Sequence, residues 1–375
     1  MMAVNIEDVA RNAIEVSLDL KLGEKVWIHG WDHTIELISR LAWECRKRGC
    51  HVLLTIQPED FWLRSIMESP RELVDKLPPH QAAALRETDA YIFTLGPRNP
   101  IPWERIPKER HKAITVWLDT RYDKTNFAEE WATIAIDCKV RMLAIEATLA
   151  TPERADVLGL DYEEWRNVMY AGCVADYREI ARRGKALSSL LDGEEEVHLI
   201  TPHGTDLRFR LTRRRVSFSE GLATEEKAAN GRVTFLPAGD VEVSADESSA
   251  EGTVAYDVPI RVKGGPVVGL TLHVKQGRIV EFTAKERKDV FERYLVEGKG
   301  DVDRFAFFGF GLNPNLRHGF TQDDKVLGGV TVGFGDNEDK GGNNRADGQG
   351  WWASMSKATV TVGGTFVMRD GLLLI

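Results

Sequence analysis

The chain has 375 residues, which at about 150 residues per domain is enough for two ordinary cores. Lys and Arg number 49 against 58 Asp and Glu, giving a formal charge of −9, and no long basic run occurs. The electrostatic footprint of a nucleic-acid or anionic-membrane binder is therefore missing, and a small molecule or a peptide is the expected partner.

The start, MMAVNIEDVARN, has acidic residues where a signal peptide needs a basic flank, and no stretch approaches the ~18 apolar residues of a membrane span, so a cytoplasmic location is expected. The spacing predicts a helix over Ile6 to Leu18, a strand over Lys25 to His29, and a helix from Ile35, capped by Asp32 or Thr34, that stops at Gly49. Strand-like runs follow at His51 to Ile56, Ala90 to Leu95 and Ala113 to Leu118, which predicts a parallel sheet covered on both faces. The turn His29-Gly30-Trp31-Asp32-His33 lacks the glycines of a dinucleotide site, and no phosphate-binding Gly-x-x-x-x-Gly-Lys loop occurs. Cys45, Cys50, Cys138 and Cys173 form no Cys-x-x-Cys pair and read as reduced thiols.

Two polar helices, around Tyr162 to Gly172 and Ala175 to Leu191, lead to the acidic turn Asp192 to Glu196, where the pattern changes. The expected organisation is α/β: a doubly wound parallel-sheet domain over residues 1–192, then a mixed, largely antiparallel α+β domain over residues 193–375. In the second part alternating strands are expected at Val197 to Thr201, Leu207 to Leu211, Thr253 to Pro259 and Val267 to Val274, with one strong helix within Thr283 to Val296.

The second-domain motifs Thr201-Pro202-His203-Gly204-Thr205-Asp206-Leu207, Phe235 to Val241, Gly309-Phe310-Gly311-Leu312-Asn313-Pro314, Asp324-Lys325-Val326-Leu327-Gly328 and Gly335-Asp336-Asn337 stand in an order that resembles the thermophilic aminopeptidase family. That family holds AmpS- and AmpT-like metallopeptidases, and dihydroxypyridine-cleaving iron dioxygenases look like distant members. The resemblance implies a homodimer and a two-metal centre made of two glutamates, two histidines and an aspartate, whose ions activate water and polarise the peptide carbonyl. Carried over position by position, those ligands fall on Asp240, Phe307, Thr331, Gly350 and Trp352. Asp240 can still ligate, whereas Phe, Gly and Trp side chains offer no donor.

No resident cofactor is therefore expected, and the former metal cleft, with Asp240, Phe307, Thr331, Gly350, Trp351, Trp352, Lys325 and Asp336, is the expected ligand-binding site. Phe305, Phe307, Phe308, Phe310, Trp351 and Trp352 either line a pocket for an apolar or aromatic ligand or fill the vacated space. The alternative is an active aminopeptidase with one or two divalent ions (Zn, Co or Mn) on Asp240 and non-standard ligands such as Asp336, Glu338, His29 or His33. A ring-cleaving iron dioxygenase is a third reading, weakened by the missing histidines.

Three further patterns have competing readings. His29, Asp32 and His33 make either a relocated metal or acid/base site or a capped helix start with surface histidines. The segment Asp336 to Gly341 with Asp347 looks like a calcium loop, but Lys340 stands where an oxygen ligand is needed, and Asp336 and Asn337 fit a hydrogen-bonded loop better. Arg213-Arg214-Arg215 with Arg208 and Arg210 could grip a carboxylate or form a solvated sheet face, and Lys325 could bind an acidic ligand or bridge Asp323 and Asp324.

Overall fold

The computed structural model describes residues 4–111, 126–262, 265–346 and 350–375. The strand expected at Ala113 to Leu118 and the proposed loop residue Asp347 lie outside these residues. The chain divides into two compact units, one of residues 1–174 and 221–237, the other of 175–220 and 238–375. The division at 192 expected from sequence is thus displaced. The helix Tyr177–Leu191 packs on strands of the second unit, and a later segment returns to the first.

In the first unit, strands β1 (Lys25–Trp31), β2 (His51–Gln57), β3 (Ala90–Thr94) and β4 (Arg141–Ile145) are joined by β8 (Val233–Leu236) in one parallel sheet of order β2-β1-β3-β4-β8. β3 is buried along its whole length, which explains its unbroken apolar run Ala-Tyr-Ile-Phe. Tyr91 on this strand meets Trp27 and Trp131 edge-on, with Trp27 and Tyr91 ring centroids 5.1 Å apart. The helix Ile35–Lys47 follows β1, but neither expected cap forms. A short 3-10 turn, Asp32–Thr34, intervenes, the Thr34 hydroxyl donates to the Trp31 carbonyl, and Asp32 accepts from the His33 and Glu59 amides.

The second unit is built from antiparallel sheets. Eight strands, β5 (Glu196–Ile200), β6 (Asp206–Arg210), β10 (Glu251–Ala255), β13 (Thr271–Lys275), β14 (Arg278–Thr283), β18 (Thr359–Val362), β19 (Thr365–Arg369) and β20 (Leu372–Leu373), form one sheet. A five-stranded sheet has the order β17-β16-β15-β9-β7, with β7 (Val216–Ser219), β9 (Asp240–Ser244), β15 (Phe305–Gly311), β16 (Val330–Phe334) and β17 (Trp351–Met355). A hairpin of β11 (Ile260–Val262) and β12 (Gly265–Val267) completes the strands. Phe209 on β6 lies 4.9 Å from both Phe305 and Phe308 on β15, so these rings form the layer between the two larger sheets.

Candidate functional site

Strand alternation decides which side chains share a face of the five-stranded sheet. Glu242 pairs with Gly309, Gly309 with Thr331 and Thr331 with Ser354, while Ser244, Phe307, Gly333 and Trp352 form the next row and Asp240 pairs with Gly311. Asp240, Phe307, Thr331 and Trp352, four of the positions expected at the site, therefore lie on one face. Two glycines make that face possible. A Cβ at Gly333 would stand 2.2 Å from the Phe307 ring, and one at Gly309 would stand 2.8 Å from Cγ of Glu242.

The six aromatic rings expected together are split by the same alternation and by a register shift between Phe305 and Phe307. Phe307 and Trp352 contact each other on the site face, at 6.3 Å between centroids. Phe305, Phe308, Phe310 and Trp351 belong to the core instead. Trp351 stacks on Phe334 at 5.0 Å and its indole N–H donates to the Val302 carbonyl. Trp351 is 4% exposed and Trp352 44%.

Asp240 is not alone. Carboxylate oxygens of Asp240, Glu242 and Asp324 lie within 4.8 Å of one another, and these three make a group that sequence reasoning missed. Glu242 was legible as the next same-face residue of the strand that carries Asp240. Asp324 comes from the short 3-10 turn Asp323–Lys325, which lies against β15 and β17.

Two lysines answer these carboxylates. Lys340 Nζ donates to Glu242 Oε2 at 2.5 Å and sits 4.7 Å from the centre of the Phe307 ring. Burial alone would lower its pKa, but Glu242, Asp339 and Asp240 outweigh that and raise it, so the ammonium is charged. Lys325 Nζ lies 3.4 Å from Asp324 and also bonds the Gln322 side chain. The Asp323 carboxylate accepts the Gly319 and Phe320 amides at 2.8 and 3.1 Å.

Burial pushes the Asp240 carboxyl up to about 8, against the pull of Lys325 and with the push of Glu242 and Asp324. Its Oδ1 is buried with no hydrogen-bond partner. Burial likewise raises Asp323 to about 7, although the two amides it accepts oppose this. Two carboxyls that hold protons near neutral pH thus stand close in sequence to, or within, one cluster. Thr331 and Ser354 hydroxyls bond each other at 2.8 Å beside it.

A cavity of about 360 Å³ borders this cluster. Asp323, Asp324, Ser354, Trp352, Arg261 and Phe320 line it, together with Gly350 and the edge of Trp351. It is large enough for a small organic molecule or one peptide side chain with its flanking backbone.

The loop that delivers Lys340 is fixed by polar side chains. Asn337 donates to the Ala306 carbonyl and to Glu247, and accepts from the Asn344 amide. Asp336 accepts from the Glu338 and Ala346 amides, which makes it a loop residue and not a member of the carboxylate group. Glu338 pairs with Arg345 at 3.0 Å. Of the basic run, Arg214 is drawn in against Glu247, with Nη2 at 2.8 Å from Oε2, while Arg208 and Arg210 pair with Glu196 and Asp246.

In the first unit the two histidines do not converge. His29 lines a cavity with Trp62 and Tyr91, its Nδ1 is 2.9 Å from the Thr55 hydroxyl, and burial lowers its pKa to about 4. His33 lines a different cavity, and no metal-ligating group of three including either histidine occurs among the described residues.

The model of the thermophilic metalloprotease (M29) family matches residues 2–301. No curated protein sequence matches the chain. Among solved structures, AmpT from Thermus thermophilus is similar with a TM-score of 0.64 at 18% identity, over 99% of each chain. The 2,5-dihydroxypyridine dioxygenase of Pseudomonas putida KT2440 is similar with a TM-score of 0.62 at 14% identity, over 98% of this chain and 96% of that one. At such identities the two structures speak for the fold, and the family model, which spans both units, speaks for descent: the chain belongs to the thermophilic metalloprotease (M29) family.

Proposed function

We propose that this protein binds a small molecule with an apolar or aromatic part, or an aromatic residue of a peptide, in the cavity beside Trp352, and that it does so without a two-metal centre. The observation that carries this reading is the Lys340–Glu242 ion pair at 2.5 Å. Three carboxylates and two ammonium groups leave a net charge of about −1, or none when Asp240 keeps its proton, whereas two divalent ions need several anionic or imidazole donors at once. Imidazole is absent from the group, and Phe307 covers Lys340 where a ligand position is implied by the family. This donor set does not fit two ions.

Within the cavity, Asp323 and Asp324 offer proton donors or acceptors and Arg261 supplies positive charge at the same wall, while Lys325 pairs with Asp324 from outside the lining. Such an arrangement suits general acid–base chemistry on a bound ligand. The second reading is a metal-dependent aminopeptidase using Asp240, Glu242 and Asp324, favoured by their mutual distance and by the unpartnered Asp240 Oδ1. Among the described residues the group itself contains no imidazole to support iron-dependent ring cleavage.

Titrating small aromatic compounds and peptides with aromatic N-terminal residues, followed by tryptophan fluorescence, separates the two main readings. Saturable binding without added metal, lost in Trp352→Ala, is expected. Peptide hydrolysis that requires a divalent metal and disappears in Asp240→Asn would contradict it.

A further inference from the structure

The parallel sheet of the first unit has an aromatic cavity of its own. It measures about 220 Å³ and lies on the face of β1 that carries Trp27 and, two residues on, His29. Trp62 from the helix Glu59–Glu68, Tyr91 from β3, and Phe127 and Trp131 from the helix Asn126–Asp137 complete the wall. The rings hold one another. Trp131 lies 5.6 Å from Trp27 and 6.1 Å from Phe127, and Trp62 meets Trp31 edge-on at 5.3 Å. The wall therefore stands before any ligand arrives.

One polar ring is set into it. His29 faces Thr55 across the β1–β2 ladder, and the Thr55 hydroxyl accepts the Trp27 indole N–H at 2.7 Å and lies 2.9 Å from His29 Nδ1. Nδ1 is thereby engaged, and Nε2, with no hydrogen-bond partner among the described residues, is the nitrogen left for the cavity that His29 lines. Burial keeps this imidazole uncharged at neutral pH. Among the described residues of the lining there is no carboxylate, and Lys76 is the one charged side chain.

Size, charge and hydrogen bonding together select a ligand. An apolar cavity of about 150 Å³ takes up benzene, so the larger space here holds one ring with a small substituent. A cationic ligand would find Lys76 and no carboxylate to pair with. A hydroxyl both donates and accepts, so it meets His29 Nε2 whichever nitrogen holds the proton. We propose that this cavity binds a small uncharged phenol, its ring among Trp27, Trp62 and Trp131 and its hydroxyl on His29 Nε2.

Titration calorimetry of the full chain carrying Trp352→Ala, which silences the cavity of the second unit, tests this with p-cresol, toluene and benzylamine. p-Cresol is expected to bind saturably with one site per chain, and toluene and benzylamine at least about tenfold more weakly. Adding His29→Phe, which keeps a ring and removes Nε2, is expected to weaken p-cresol about tenfold and to leave toluene unchanged. Should that variant not fold, Trp62→Ala, at a half-buried ring, is expected to weaken p-cresol by a similar factor. Absence of saturable p-cresol binding, toluene or benzylamine binding as tightly as p-cresol, or p-cresol binding unchanged in the folded variants would overturn the assignment.

Discussion

Lys340 and Glu242 stand 98 positions apart in the chain, yet the ammonium of one lies 2.5 Å from the carboxylate of the other, over the face of Phe307. The contact joins a Gly- and Asn-rich loop to a central strand of the five-stranded sheet. It also supplies fixed positive charge inside a group of three carboxylates.

Removing that charge leaves the buried Glu242 carboxylate without its ion-pair partner. Lys340→Gln is therefore expected to cost about 3–5 kcal/mol, the usual penalty for stranding one partner of a buried pair, read as a lower urea midpoint. Added Mn²⁺ is expected to raise the melting temperature of this variant and to leave the wild type unchanged. A wild type that responds to Mn²⁺ as strongly as the variant would argue against lysine as the resident cation.

Asp240→Asn tests the raised carboxyl. At pH below 3.8 the group is protonated in folded and unfolded chains alike, and above that the unfolded chain ionises first. Its contribution to stability is thus lost between pH 3.8 and about 8. The variant is expected to show a flatter stability profile over that window and to be the more stable protein at pH 8. Parallel profiles measured by urea unfolding would show that Asp240 is ionised in the fold.

Glu247 works in the opposite direction. Burial alone would raise its carboxyl, but hydrogen bonds from Arg214, the Asn343 amide and Asn337 hold it down at about 2. The stabilisation is present above the ordinary value of 4.5 and lost as pH falls from there through about 2. Glu247→Gln is expected to cost about 3 kcal/mol at pH 7, because Arg214 is left half-partnered, and much less at pH 2.5. An equal cost at both values would mean that the charge of Glu247 carries none of it.

The neighbouring tryptophans give a contrast in one strand. Trp351→Ala is expected to cost about 3–5 kcal/mol as a core truncation, and Trp352→Ala under about 1 kcal/mol while it abolishes ligand binding in the cavity. Thermal unfolding of the two variants side by side checks the pair.

The fold was readable where local pattern and burial agree. Ala90 to Phe93 is an unbroken apolar run because β3 is covered on both faces, and Gly49 closes its helix as a left-handed residue should, at φ 78°. The site was half readable. Sequence register brought Asp240, Phe307, Thr331 and Trp352 together, but the period-two rule, applied to the same strands, would also have found Glu242 and would have removed Phe308, Phe310 and Trp351. Asp324 and Lys340 were beyond such a rule, since short 3-10 turns have no periodicity that sets where a side chain points. The division at residue 192 failed for a similar reason: the acidic turn is a local signal, while the packing of Tyr177–Leu191 on β7 and β9 is not.

The metal content of the purified protein tests the central claim most directly. Elemental analysis is predicted to find no stoichiometric zinc, cobalt, manganese or iron in the wild type. One or two equivalents of a divalent metal per chain, lost in Asp240→Asn, would contradict the account.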